Sequence, residues 1–438
     1  MRAPADVSAR RALAAALLAL APAALAGSGC DWRDFDSIQS RTPVLAVGAP
    51  SHFDSNDFGR TLLPIATLPA GASGARFVVS SEQQTAVAIV DLDAKGQSKS
   101  QDIGSPIFNV GEPLTALAEV PGTGQVLLGG QDTSGSGTVY LMTLGSMPEV
   151  TLFDAQPNED RFGLGVAAGA LAGGAAPDFV VLSSDSLWVY LDGDATMRVP
   201  SAPPGADCPL LFSAGFSPRD RLRRAVLVAP LTGDPASQQI VVGSPQMDSQ
   251  GAVSVFTVAA DGTATCAFTY RGPDARFGHA LATGDFDGDG ALDLLVGSPP
   301  MHAFWIRGPL TPTSAILPVT LPAGSSELGS TVAAVNVDGK PGDEALVGNP
   351  DATVAGGTLA GEVHVVTGAA LDKELQVVRR LQPSGDDALG IQLAALPFCR
   401  SGCGTAAAAV QSIALVGSNT RAFTYYDLGL GAADPRAK

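Results

Sequence analysis

One frame returns seven times along this chain, and a sequence built that way buries its apolar faces by stacking copies of a single unit. The clearest copy begins at Phe277-Gly278 and runs through a short alternating stretch, residues 279–284. It then crosses an acidic loop, enters the apolar run Leu294-Leu295-Val296 and turns at Gly297-Ser298-Pro299. The frame recurs at Phe58-Gly59, Val110-Gly111, Phe162-Gly163, Leu328-Gly329 and Leu389-Gly390. Each is followed by a β-branched or Leu-rich run such as Asp178-Phe179-Val180-Val181-Leu182 or Ala345-Leu346-Val347-Gly348-Asn349-Pro350. A further copy keeps Ile240-Val241-Val242-Gly243-Ser244-Pro245 but carries Arg223-Arg224 where the apolar-Gly pair belongs. The copies start near 58, 110, 162, 223, 277, 328 and 389, a period of 51 to 61 residues.

Within each period the short apolar runs are bounded by Gly, Pro, Asp and Ser, the punctuation of strands. With 51 Gly and 32 Pro, the chain has no long stretch of helical periodicity. A third strand follows the Gly-x-Pro turn, as in Gly251-Ala252-Val253-Ser254-Val255-Phe256. A fourth precedes the next copy, as in Cys266-Ala267-Phe268-Thr269-Tyr270. Seven units of four antiparallel strands predict an all-β, seven-bladed β-propeller over residues 42–428. The last copy runs out after its third strand, Ala422-Phe423-Thr424-Tyr425-Tyr426, while an orphan strand, Pro43-Val44-Leu45-Ala46-Val47-Gly48, precedes the first. Paired together, they complete the last blade and remove an open edge. Residues 429–438 read as a flexible tail.

The acidic loop carries the strongest chemistry. Asp285, Asp287, Asp289 and Asp293 stand at positions 1, 3, 5 and 9, with Gly288 and Gly290 between them. Four carboxylates so close repel one another unless a hard cation sits among them, and Ca²⁺ takes six to eight oxygens. The sister loop of the sixth copy has Asn336, Asp338, Lys340 and Glu344 at those positions, and Lys340 reads as an internal counter-charge.

The frame of Phe-Gly, Asp-x-Asp-x-Asp-Gly-x-x-Asp and Val-Gly-Ser-Pro resembles the FG-GAP repeat of integrin α chains and of many bacterial surface proteins, over roughly residues 42–427. The resemblance implies a propeller with calcium loops on one face and ligand recognition commonly on the other. It also implies that the backbone carbonyl of Ala291 completes the calcium shell.

The five cysteines suit an oxidising compartment. Cys399 and Cys403 flank a short loop and are expected to pair, and Cys208 and Cys266, in neighbouring stretches around the fourth copy, could bridge, a pairing that sequence spacing leaves open. That leaves Cys30. Before it, Arg10-Arg11 and the 15 apolar residues 12–26 make a signal peptide over 1–29, too short to span a ~30 Å bilayer. Two cleavages compete: after Ala24-Leu25-Ala26, freeing a secreted or periplasmic protein, or before Cys30, making it the lipidated first residue of an envelope lipoprotein. Residues 30–41 form a short linker.

A net charge of -17 excludes nucleic acid as a partner, because phosphate binding needs clustered Lys and Arg. His52, His279, His302 and His364 are scattered without triad or metal spacing. Trp188 and Trp305 read as strand residues, and Trp32 as an exposed turn residue. The expectation is a monomeric, non-catalytic binding or adhesion module for an extracellular protein or glycan, touching the membrane only through an N-terminal lipid. The alternatives are a lectin-like glycan binder and a hydrolase or lyase on the same ring.

Overall fold

The computed structural model describes residues 44–426 apart from loop segments, chief among them 50–57, 99–106, 201–207, 209–224, 354–360, 368–375 and 400–409. The expected signal peptide, Cys30, the linker, His52, Asp338, Cys403 and the tail lie outside the described residues. The described strands form seven four-stranded antiparallel sheets, one for each sequence repeat. In chain order blades 1 to 6 cover residues 61–109, 114–155, 165–200, 226–271, 280–318 and 332–381. Blade 7 takes three strands from residues 392–425 and a fourth, Val44–Gly48, from the other end of the chain. That strand pairs antiparallel with Arg421–Tyr425, from Val44 opposite Tyr425 to Gly48 opposite Arg421.

The core lies between blades and not within them. Each of the seven apolar clusters draws on two neighbouring blades. The second strand of blade 5, Asp293–Ser298, illustrates why its sequence is apolar without alternation. Leu294 and Val296 pack into the cluster shared with blade 4, and Leu295 into the cluster shared with blade 6. A strand buried on both faces reads as a continuous hydrophobic run.

The two glycine signatures of the repeat meet across these interfaces. A Cβ on Gly297 of blade 5 would meet the carbonyl oxygen of Gly329, which opens blade 6. The same collision awaits Gly348 against Gly390, Gly417 against Gly59, Gly243 against Gly278 and Gly129 against Gly163. So the Gly of each Val-Gly turn and the Gly of the next apolar-Gly pair are needed together, because backbone rests on backbone where blades touch. The preceding apolar side chains, Phe58, Phe162, Phe277, Leu328 and Leu389, are fully buried in the interblade clusters.

The innermost strands ring the axis around a cavity of about 240 Å³. Thr61, Ala116, Val166, Ala225, Ala280, Thr331 and Gln392 line it, one from each blade. No ionisable side chain is among the lining residues.

Of the expected disulfides, Cys208–Cys266 forms, with a Cα–Cα distance of 5.8 Å. Cys399 is also disulfide-bonded, and its expected partner Cys403 is outside the described residues.

Candidate metal centre

In blade 5 the loop joining the innermost strand, Ala280–Gly284, to the second strand folds around its own first carboxylate. Asp285 Oδ1 accepts the backbone N–H of Gly288 at 2.8 Å and of Asp289 at 3.0 Å, and Oδ2 accepts that of Gly290 at 2.9 Å. This turn requires positive φ at Gly288 (76°) and Gly290 (88°), a region that costs a side-chain-bearing residue about 1–2 kcal/mol. Asp289 Oδ1 accepts the Ala291 N–H at 2.8 Å. The result brings one oxygen from each of Asp285, Asp287 and Asp289 within 4.8 Å of one another, a cluster able to hold a metal ion.

Asp287 is the member that most needs a cation. Its side chain is only 3 % exposed, and Oδ2 is buried without a hydrogen-bond partner. Burial, reinforced by the charge of Asp289, raises its pKa above the ordinary carboxylate value. Arg307 Nε stands 3.3 Å from that oxygen and offsets part of its charge, and three clustered carboxylates still form a donor set that fits a hard divalent ion.

Asp293 stands beside the triad with both oxygens engaged by backbone. Oδ2 accepts the Phe286 N–H at 2.9 Å and Oδ1 the Gly308 N–H at 2.8 Å. Burial pushes its pKa up to about 6, against those two hydrogen bonds and with the charges of Asp287 and Asp289 adding to the rise. For an acid raised in this way the proton-binding folded state is penalised as pH climbs from about 4 to about 6. The metal-free loop therefore contributes least stability at neutral pH, and bound positive charge would restore it.

Position 9 does the same work in neighbouring blades where no acidic loop exists. Asp178 in blade 3 accepts the N–H groups of Leu171, Ala172 and Asp192. Gln239 in blade 4 accepts those of Leu231 and Thr232, and Glu344 in blade 6 that of Val337. Each closes the loop entering its strand. The acid at this position thus has a hydrogen-bonding role independent of metal, which the spacing alone does not reveal.

Blade 6 supplies the comparison loop. Asn336, the counterpart of Asp285, accepts the Gly339 N–H with its Oδ1 at 2.8 Å. Its Nδ2 then donates to the carbonyls of Lys340 at 2.8 Å and Gly342 at 3.1 Å. A carboxamide N–H₂ occupies the place where a cation would collect backbone oxygens, because Asn carries donors that Asp lacks. Lys340 contributes its carbonyl to this arrangement.

Blade 6 also braces the acidic loop of blade 5. Asp343 Oδ2 accepts the Asp285 N–H at 2.9 Å, and the Asp343 N–H donates to the Asp285 carbonyl at 2.6 Å. The same brace recurs where Gln238 of blade 4 accepts the Ala170 N–H at 2.8 Å, and where Glu119 of blade 2 accepts those of Ala66 and Thr67. Asp343→Ala should lower the unfolding free energy by about 1–3 kcal/mol, and Asp343→Asn by less because its amide oxygen still accepts. Urea denaturation of the two variants checks the order. Asp343 was not legible beforehand, since nothing in its own repeat marks it as a partner of the preceding one.

His302 pairs with Asp274 in blade 5 at 2.6 Å, and His364 is buried against Glu362 in blade 6 at 2.9 Å. Trp188 and Trp305 lie in third strands, as expected.

The family model for the FG-GAP repeat matches residues 277–300, the segment holding Phe277-Gly278, the acidic loop and Gly297-Ser298-Pro299. The molecule is a seven-bladed β-propeller that carries an FG-GAP repeat in its fifth blade, consistent with the N-terminal propeller of integrin α chains. No curated protein matches the chain.

Proposed function

We propose that this chain is a non-catalytic binding module of the cell envelope, in which one Ca²⁺ staples the blade-5 loop and the loops of the ring recognise an extracellular protein or glycan. The observation that carries the reading is the axial cavity. Propeller enzymes gather their chemistry near the axis, and here all seven innermost strands present apolar, Thr or Gln side chains to it. The acidic loop supports the same reading, because both oxygens of Asp285 and Asp293 and one of Asp289 accept backbone N–H groups that shape the turn. A cation there serves rigidity. Extracellular calcium modules bind with Kd of roughly 10⁻⁴–10⁻³ M, so at about 1 mM free Ca²⁺ the ion adds only ~0.4–1.4 kcal/mol.

The test pairs a glycan array and a panel of purified extracellular proteins with hydrolase and lyase assays on the same preparation. Saturable binding to a defined glycan or protein, without turnover, is the expected result. Turnover of a polysaccharide or ester that disappears on substituting Thr61 or Gln392 at the axis would overturn it. Binding to glycans alone would select the lectin-like alternative.

Anchoring is a separate element of the proposal. With Cys30 as the acylated N-terminus, Cys30→Ser should move the protein from the detergent phase to the soluble fraction. A wild type that takes up no clickable fatty acid contradicts it.

A further inference from the structure

We infer that Arg307, stacked on Trp305, is the built-in counter-charge of the metal-free blade-5 loop and sets how tightly that loop takes a divalent cation; this rests on the calcium reading proposed above. Arg307 follows the third strand of blade 5, His302–Ile306. Its Nε lies 3.3 Å from Asp287 Oδ2, the buried oxygen that receives no hydrogen bond. Its guanidinium carbon sits 5.0 Å from the centre of the Trp305 ring, and Trp305 is itself 1 % exposed. The next residue is fixed as well, because the Gly308 N–H donates to Asp293 Oδ1 at 2.8 Å. A packed indole on one side and an anchored backbone on the other thus hold the guanidinium at the edge of the carboxylate triad.

The placement has two consequences of the same sign. Without metal, Arg307 supplies the positive charge that buried Asp287 needs, so the loop survives with three acids in close quarters. With metal, the guanidinium and the cation compete for the same carboxylate and repel each other. Arg307 therefore stabilises the empty loop and weakens the filled one. Arg cannot relieve the conflict by losing its proton. The sequence gives no hint of this, because Arg307 lies outside the acidic motif and reaches it only through the hairpin of the second and third strands.

The experiment titrates the full chain with CaCl₂ alone, by calorimetry, and records melting with Ca²⁺ or with chelator. Arg307→Gln keeps much of the stem and removes the charge. It should tighten the calcium Kd by about three- to tenfold, the effect of removing one nearby unit charge at partly screened distance. Its melting temperature should fall in chelator and match or exceed that of the wild type in saturating Ca²⁺. Arg307→Lys keeps the charge and should bind within about twofold of the wild type. An Arg307→Gln Kd that is unchanged or weaker, or a melting loss equal with and without Ca²⁺, would give Arg307 a merely structural role and overturn the inference. Should the Gln variant fail to fold, a Lys variant whose Kd shifts more than threefold overturns it too. A wild type that binds no calcium removes the calcium reading itself, which separates the two failures.

Discussion

Deleting residues 44–48 should make the protein aggregate and broaden its thermal unfolding. The deletion removes a strand paired along its whole length with Arg421–Tyr425 and takes Val47 out of the cluster shared by blades 7 and 1. Blade 7 is then left with three strands and an open edge, the template on which chains add to one another. The loss also falls at the ring's one seam between chain ends, so all seven interfaces feel it. Each lost backbone pairing is worth about 0.5–1.5 kcal/mol net, and several together approach the 5–15 kcal/mol that holds a whole domain. Size-exclusion chromatography and differential scanning calorimetry provide the readout. A deletion variant that stays monomeric with an unchanged melt would mean that the strand does not close the ring.

Gly348→Val should be nearly as damaging for a single side chain. A Cβ at this position meets the Gly390 carbonyl and the Thr331 hydroxyl, and Thr331 Oγ1 already donates to that carbonyl at 2.6 Å. Backbone cannot yield as a flexible side chain does, so blades 6 and 7 must separate. Overpacking of this kind costs about 3 kcal/mol or more. Gly290→Ala is the control, since no atom lies within 4 Å of its Cβ position and only its φ of 88° opposes the change. Its cost should stay near 1–2 kcal/mol. Equal losses in the two variants would refute the close-contact account.

These two cases show why the fold was readable. The repeat period counts blades, the two glycines mark where blades touch, and the orphan strand at residues 43–48 announces the seam. Each signal is local in sequence, although the contacts it marks reach the next blade or the far end of the chain. The metal loop was legible in part for the same reason: Asp285, Asp287 and Asp289 are brought together by the turns at Gly288 and Gly290 within their own loop. What escaped were contacts between repeats, or between strands of one blade, that no recurring residue marks. Arg307 reaches Asp287 through a hairpin, Asp343 reaches Asp285 across an interface, and Asn336 reveals its donor role only when the carbonyls of Lys340 and Gly342 are in view. Asp293 shows the complementary difficulty. Its position in the motif suggests a ligand, yet Asp178, Gln239 and Glu344 hold the same loop-closing bonds in blades without the acidic run.

Calorimetric titration of the purified protein with CaCl₂ decides whether a single Ca²⁺ staples blade 5. One binding event with Kd of roughly 10⁻⁴–10⁻³ M is expected for the wild type. It should vanish in the Asp287→Ala, Asp289→Ala double variant and persist in Lys340→Ala. Absence of calcium binding by the wild type, or binding that survives the double substitution, would contradict such a staple.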